Sequence, residues 1–254
     1  MDVKAEAKRT GTEARLRARR DEITGSNTDI ASSMYCNLVV IPEEFAADFR
    51  QLCLRNPAPL PLLEQTEPGE RSSTLAFDSD ISTDLAKEGV SSITSEWSNQ
   101  HVGFLLGCSF TFETALAAAR LQPRNMTENK APPVYTTSVQ LNPSGVFAGA
   151  YMAVSMRWYR PEDLARVRSI TSKLSKQHGE PVAWSWDGAK YLGIEPKLKA
   201  KDDGEIPVFW GCGVTAEVAL CAAKLPGFSM SHFPGAMFVT DLTGQEVEED
   251  SSIP

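Results

Sequence analysis

Two similar phrases in this sequence combine residue types that could bind an anion or move a proton. The first is 104-FLLGCSFTFETAL-116 and the second is 208-VFWGCGVTAEVAL-220. Each reads as an apolar strand, a Gly-Cys pair, a short loop and an alanine-rich helix. Such a junction presents backbone N–H groups and the positive end of a helix dipole to an anion. The repeat therefore predicts a small carboxylated ligand held between two junctions.

The residues that the two phrases share also have a purely structural interpretation. Thr111 and Thr215 fit the N-cap position, where a hydroxyl accepts a backbone N–H bond. Glu113 and Glu217 would then lie in the first helical turn, where the dipole favours a negative charge. This interpretation needs no substrate, and the sequence leaves both interpretations open.

Acid–base chemistry at the junctions would need one carboxyl group and one imidazole. Glu113 and His232, which precedes a Pro-Gly turn, are our catalytic candidates for proton transfer. Backbone N–H groups near Ser109 and Gly213 would hold an oxyanion or a carboxylate. A carboxyl group and an imidazole in one cleft would suffice to supply an acid that gives a proton and a base that takes one.

The cysteines of the two phrases offer a different chemistry. Cys108, activated by His178 or His232, would be the nucleophile of a cysteine-dependent transferase or hydrolase. We favour a lining role for Cys108 and Cys212, because most free cysteines are simply buried. The chain has 5 cysteines without a Cys-x-x-Cys pair, which fits a reducing compartment.

The elements that must position these residues follow an α/β pattern. Helical and apolar strand patterns alternate over most of the 254 residues. The section between the two phrases is richer in strands. We therefore predict a two-lobed, layered α/β protein, with a main domain formed by residues 1–133 and 206–254. A smaller α+β lobe, residues 134–205, would be inserted into it.

Composition excludes several classes of partner. A net charge of −8 disfavours nucleic acid, and no apolar run is long enough to span a membrane. The first 22 residues lack the apolar core of a secretory signal, and their acidic residues favour the cytoplasm over a mitochondrion. The 3 histidines show no metal-ligand spacing, so we expect no zinc site. The expected partner is a small molecule, and a homodimer is compatible with the sequence.

Eight phrases in one order resemble a known family, the YcsI-like hydro-lyases, which include the D-glutamate cyclases. They span most of residues 12–242 and read 37-NLVVIP-42, 53-CLRNPAPLPLL-63, 80-DISTD-84, 107-GCSFTFE-113, 151-YMAVSMR-157, 178-HGEPV-182, 208-VFWGCGVT-215 and 232-HFPGAMFVTDL-242. The resemblance implies a cofactor-free lyase of two lobes. For the cyclase members it implies interconversion of D-glutamate with 5-oxo-D-proline and water.

Substrate-binding residues are predicted from the junctions, from the family motifs and from hydroxyls on the strand candidate 134–141. They are Asn56, Asp84, Cys108, Ser109, Thr111, Tyr135, Thr137, His178, Cys212, Gly213, Thr215 and Gly235.

Three positions depart from the family pattern. Ser82 replaces an arginine, and Asn125 and Ala183 stand where the family tends to have histidine. Arginine and imidazole groups bind carboxylates or move protons. Their loss points to a diverged substrate, such as a biosynthetic-pathway intermediate. A non-catalytic, small-molecule-binding member of the family is the alternative.

Overall fold

Helices surround two antiparallel sheets in this computed structural model, which describes residues 3–23, 33–84, 92–128, 130–195, 198 and 204–254. The strands are β1 (Tyr35–Pro42), β2 (Leu62–Gln65), β3 (His101–Gly107), β4 (Val134–Gln140), β5 (Tyr151–Tyr159), β6 (Ala183–Trp184), β7 (Ile206–Gly211), β8 (Met230–Ser231) and β9 (Phe238–Val239). The helices are α1 (Val3–Arg19), α2 (Ala46–Arg55), α3 (Ser109–Ala118), α4 (Arg124–Thr127), α5 (Leu164–Thr171), α6 (Ser185–Tyr191), α7 (Val214–Ala223) and α8 (Gly244–Glu249).

The first sheet has the order β2-β3-β1-β8, and β9 also pairs with β1. The second sheet has the order β4-β5-β7-β6. The two phrases of the repeat therefore supply an inner strand to each sheet, β3 to the first and β7 to the second. Each strand is followed directly by a helix, as predicted, and the α/β class is confirmed.

Successive side chains of an inner strand point to opposite faces of the sheet, and in β1 both faces are buried. Along β1, Val39 and Ile41 enter the core between the sheets, whereas Leu38 and Val40 pack in a second cluster on the opposite face. A strand with a two-residue period can bury both sets only when each face is covered by other elements. In the central core, the Phe49 ring of α2 meets the Phe104 ring of β3 edge-on, with centroids 4.9 Å apart.

The strand pairing crosses the predicted lobe boundary. Strands β4, β5 and β6 belong to the predicted insert, residues 134–205, but β7 lies beyond it and completes their sheet. The division into a main domain and an inserted lobe stays a prediction.

Helix α1 is held to the first sheet by buried ion pairs. Arg15 donates to the Val239 carbonyl oxygen at 2.8 Å and to the Asp241 carboxylate at 2.9 Å. Arg19 binds Asp84, whose carboxylate is fully buried. Asp84 also accepts the backbone N–H of Asp80 at 2.8 Å. The charge of Asp84 therefore fixes a helix and a turn.

Candidate functional site

The two junctions are built to the same register in different sheets. Gly107, the last residue of β3, pairs with Cys36, and Gly211, the last residue of β7, pairs with Val154. In each case a threonine four positions after the glycine accepts the N–H of the residue before that partner. The Thr111 hydroxyl accepts from Tyr35 at 3.1 Å. In each copy the threonine hydroxyl thus accepts a hydrogen bond from a backbone N–H group of a neighbouring strand.

The same bond in the second copy corrects the N-cap prediction. The Thr215 hydroxyl accepts from the Ala153 N–H at 2.9 Å. Both threonines lie inside their helices, whose N-caps are Cys108 and Gly213. Thr111 and Thr215 are therefore not caps, because their hydroxyls are used by the neighbouring strands. Neither helix N-terminus carries a side-chain cap hydrogen bond.

The glutamates of the two copies differ in position and environment. Glu217 lies in the first turn of α7 and is exposed, as expected for a solvated residue near a helix N-terminus. Glu113 lies one turn further into α3 than predicted and is buried. The first copy alone thus withdraws its carboxylate from solvent.

A cavity of about 90 Å³ lies between the two junctions. Its described lining includes the N-terminal residues of α3 and α7 together with two histidines. The lining residues are Asn37, Cys108, Ser109, Phe110, Ala131, Pro132, Val134, Ser155, His178, Cys212, Gly213, Val214, His232, Pro234, Gly235 and Met237. Seven of the predicted site residues therefore line this cavity, namely Cys108, Ser109, His178, Cys212, Gly213, His232 and Gly235.

Asn37 joins the two junctions. Its Nδ2 atom donates to the Gly107 carbonyl oxygen at 2.7 Å. A Cβ atom on Gly213 would lie 2.2 Å from that same nitrogen, so only glycine fits there without movement of Asn37. Asn37 pairs with the residue before Gly107, and Ser155 pairs with the residue before Gly211. The two sheets therefore contribute equivalent polar side chains to the cavity.

His178 lines this cavity and has one ring nitrogen without a hydrogen-bond partner among the described residues. Its Nδ1 atom lies 2.7 Å from the Ala58 carbonyl oxygen, which assigns the proton to Nδ1. Its Nε2 atom is buried and has no hydrogen-bond partner among the described residues. Burial lowers the pKa of His178 to about 4. The imidazole is therefore neutral at neutral pH, with an available lone pair on Nε2.

His232 is the second imidazole of the cavity. Its backbone N–H donates to the Leu38 carbonyl oxygen at 2.8 Å, which ties it to β1. Burial, with a smaller effect of nearby His178, lowers the pKa of His232 to about 4. Two neutral imidazoles thus share one small, mostly apolar space.

Arg157 lies behind the cavity wall and binds Glu113. Its Nη2 atom is 2.6 Å from a Glu113 oxygen, and neither side chain is more than 5% exposed. The same Nη2 atom donates to the Ser109 hydroxyl at 3.0 Å, and Nη1 donates to the Ser155 hydroxyl at 2.5 Å. Asn125 donates to both Glu113 oxygens, at 3.2 and 3.4 Å. The carboxylate of Glu113 is therefore fully engaged and does not line the cavity.

The cysteines of the cavity are poor nucleophiles. Burial raises the pKa of Cys108 to about 12 and also raises the pKa of Cys212. A thiol must ionise to attack, so both remain protonated at neutral pH. This argues for the lining role and against the cysteine-dependent alternative.

The remaining predicted residues lie outside the cavity. Asn56 closes the end of α2 and binds the backbone of Asn142 through both of its amide atoms. The Thr137 hydroxyl donates to the Met152 carbonyl oxygen at 2.8 Å, where the β4–β5 register is irregular. Asp84 anchors α1, as described above. Tyr135 lines a neighbouring outer cavity of about 320 Å³ beside Arg157.

Three polar residues of this region were not predicted from the sequence. Asn37, Ser155 and Arg157 all lie in strands whose other residues are mostly apolar. A polar residue within a buried strand must find a partner or a ligand, and that rule could have identified all three.

Within the described ranges, no group of three or more His, Cys, Asp or Glu side chains is placed to hold a metal ion. None of the helices described here is both long enough and apolar enough to cross a bilayer.

Comparison with known proteins identifies the family. The model of the D-glutamate cyclase family matches residues 102–241, which is more than half of the chain and includes both junctions. The chain belongs to the D-glutamate cyclase family. This confirms the resemblance found in the sequence motifs and supports a hydro-lyase-like role.

Full-length relatives of this family carry the name "Putative hydro-lyase". One from Schizosaccharomyces pombe is 42% identical over 91% of this chain and 84% of its own length. One from Rubrobacter xylanophilus is 40% identical over 93% and 97% of the two chains. One from Methylobacterium sp. (strain 4-46) is 37% identical over 94% and 95%. The similarity therefore extends well beyond the two junctions.

The three expected departures from the family pattern lie in different parts of the fold. Ser82 is fully buried and donates to Asp80 at 2.6 Å, and Ala183 packs beside Gly188. Neither residue lines the cavity. Asn125 alone approaches the site, through its bonds to Glu113.

Proposed function

We propose that this chain is a cofactor-independent hydro-lyase or cyclase that acts on a small carboxylated or amide-bearing metabolite in the cavity between the two junctions. The observation that carries the proposal is His178 Nε2, a buried acceptor without a hydrogen-bond partner among the described residues, on a side chain that lines the cavity between two helix N-termini. A buried polar atom of this kind costs free energy unless a ligand satisfies it.

The helix N-termini would hold the negative charge of the substrate. Cys108 and Ser109 begin α3 at the cavity, and Gly213 and Val214 begin α7. Backbone N–H groups and dipoles of both helices favour a carboxylate or a developing oxyanion. This is the role predicted from the repeat, and it requires no metal ion.

His178 would transfer the proton. In ring closure, Nε2 of the neutral imidazole takes a proton from the attacking atom of the substrate. In dehydration, it takes the proton from the α-carbon. The imidazolium that results is a strong acid in this site, because burial disfavours its charge. It then gives the proton to the departing hydroxide, which leaves as water when the carbon–oxygen bond breaks. His232, on the same cavity, would assist as a second proton carrier or orient the substrate.

Glu113 would then act through another residue. Its carboxylate holds Arg157, whose guanidinium holds the hydroxyls of Ser109 and Ser155 at the cavity wall. We therefore propose a positioning role for Glu113 in place of direct proton transfer. Removal of this carboxylate would disturb both the fold and the anion site.

A mass-spectrometric assay tests the proposal. The purified full chain is incubated in ¹⁸O-labelled water with D-glutamate, 5-oxo-D-proline and a panel of small hydroxy acids. We expect at least one compound to gain or lose one water and to incorporate the label. Binding of panel members without any water exchange would contradict turnover of those compounds and favour the non-catalytic alternative.

A further inference from the structure

Two segments hold His178, and the glycines of the repeat leave room for both of them. The imidazole lies against the Ala58 carbonyl oxygen, and the backbone of His178 directly follows a short 3-10 helix, Ser175–Gln177. A Cβ atom on Gly211 would lie 2.5 Å from the Ala58 oxygen, and a Cβ atom on Gly107 would overlap a carbonyl oxygen of the short helix. Only glycine at the ends of β3 and β7 therefore lets these two segments approach without movement.

One carboxylate of α8 binds all three residues of the short helix. Glu248 accepts the backbone N–H of Lys176 at 2.8 Å and the Ser175 hydroxyl at 3.1 Å. A longer bond, at 3.4 Å, comes from the Gln177 amide. His178 is the next residue of the chain, so this carboxylate fixes the backbone that immediately precedes the imidazole.

Helix α8 is attached to the protein by contacts other than Glu248. Val247 is fully buried in the core, and Thr243 and Glu246 form a capping box at the start of the helix. The Lys176 ammonium group donates to the Val247 carbonyl oxygen at 3.0 Å. The carboxylate of Glu248 is therefore presented to the short helix from an anchored element.

Glu248 is an unfavourable residue for α8 by itself. It lies in the last turn of this helix of 6 residues, where the helix dipole disfavours a negative charge. Burial raises the pKa of Glu248 despite the hydrogen bonds that it accepts. The adjacent Glu249 is exposed and binds Gln245 within the same helix at 2.7 Å. A residue that opposes the preference of its own element is often retained for function.

We infer that Glu248 is a positioning residue for His178. Its carboxylate holds the short helix, and the short helix sets the orientation of the imidazole and the direction of Nε2. Glu248 does not occur among the described residues that line the cavity, so it acts through His178. This inference rests on the role of His178 in the proposed function, but the state of the imidazole can be measured without turnover.

Long-range ¹H–¹⁵N NMR spectra of the full chain test the inference without a substrate. They report the tautomer and the pKa of each of the 3 histidines, and the His178→Asn variant assigns the signals of His178. In the parent chain we expect the Nδ1–H tautomer and a pKa of about 4. In Glu248→Ala we expect mixed tautomers and a pKa that rises towards the ordinary value of 6.5, because a loosened imidazole becomes hydrated.

Conservative changes at the same position grade this effect. Glu248→Gln can still accept the Lys176 N–H, so its His178 signals should stay closer to those of the parent chain. Glu248→Asp keeps the charge but shortens the side chain by one methylene group. If Glu248→Ala does not fold, Glu248→Asp takes its place, and we expect a smaller rise of the His178 pKa. Unchanged His178 signals in the folded variant would overturn the inference.

Two other variants of α8 separate positioning from general stability. Glu249→Ala removes the neighbouring carboxylate and should leave the His178 signals unchanged. Glu246→Ala breaks the capping box but removes no bond to the short helix. We expect it to lower the Tm and to leave the tautomer and the pKa of His178 as in the parent chain. A change of the His178 signals as large in Glu246→Ala as in Glu248→Ala would show that α8 contributes stability alone.

Turnover provides a second readout and separates the two proposals. On a compound that exchanges water in the labelled assay, Glu248→Ala should lower kcat at least about tenfold and change KM less than about twofold, because the helix N-termini are unaffected. If no compound exchanges water but the His178 signals shift, the hydro-lyase proposal is wrong and the positioning role stands. If turnover requires His178 but Glu248→Ala alters neither kcat nor the signals, the positioning role is wrong and the hydro-lyase proposal stands.

Discussion

Arg157 and Glu113 form an ion pair that is almost completely withdrawn from solvent. The Nη2–Oε1 distance is 2.6 Å and the Nε–Oε1 distance is 2.7 Å. The guanidinium also lies against the Phe112 ring, 4.9 Å from its centroid. The pair joins β5 to α3, and thus connects the second sheet to the junction of the first sheet.

Loss of the carboxylate should therefore destabilise the fold. Glu113→Gln leaves the Arg157 charge buried without compensation, and we expect the free energy of unfolding to fall by about 3 kcal/mol. Urea denaturation monitored by tryptophan fluorescence measures the change. The double variant Glu113→Leu with Arg157→Met is the control, because it removes both charges and should recover much of the stability. A single variant as stable as the parent chain would refute the account of this pair.

The fit between Gly213 and Asn37 predicts a steric effect without backbone strain. Gly213 has a φ of −59°, which any residue adopts, but an added Cβ would collide with Asn37. We expect Gly213→Ala to displace Asn37 from the Gly107 carbonyl oxygen and to cost about 1–3 kcal/mol of stability. In an Asn37→Ala background the same substitution should cost much less. Equal costs in both backgrounds, measured by a double-mutant cycle, would show that the contact does not limit position 213.

The buried histidines predict loss of stability in mild acid. An ordinary histidine has a pKa of 6.5, whereas the pKa of His178 and of His232 is about 4 in the folded chain. Between these values the unfolded state binds protons that the folded state does not. Stability should therefore fall as the pH is lowered from 7 to 5, by about 2 kcal/mol for each histidine.

Equilibrium unfolding at several pH values between 5 and 7 measures this slope. His178→Asn should reduce it by about half, because one of the two depressed groups is removed. A slope that is unchanged in this variant, or absent in the parent chain, would contradict the neutral buried imidazoles.

The junctions were predictable because they depend on local patterns. Each junction consists of consecutive residues that form a strand, a Gly-Cys pair and an alanine-rich helix. Both copies fold as the sequence indicates. The partners of the repeated threonines were not predictable. Tyr35 and Ala153 lie on other strands, and only the sheet register brings them to Thr111 and Thr215.

The catalytic prediction for Glu113 shows the same limit. A carboxylate near a helix N-terminus looks reactive in sequence, but its protonation and access depend on what lies opposite. Here that residue is Arg157, 44 positions away. In the second copy β1 contributes no arginine at the equivalent place, and Glu217 remains exposed. The chemical difference between the copies is therefore a property of the tertiary structure.

The central claim is that His178 Nε2 transfers the proton, and one substitution isolates that atom. His178 has a φ of +78°, a region that asparagine tolerates, and the asparagine amide can replace Nδ1–H as donor to Ala58. His178→Asn thus removes Nε2 while it retains the local structure. His101→Asn, at a histidine outside the cavity, is the matched control.

The decisive measurement is kcat of both variants on the compound that exchanges water in the labelled assay. We predict that His178→Asn lowers kcat at least about a hundredfold, whereas His101→Asn leaves it near the parent value. A His178→Asn variant that folds and turns over at the parent rate would contradict the account.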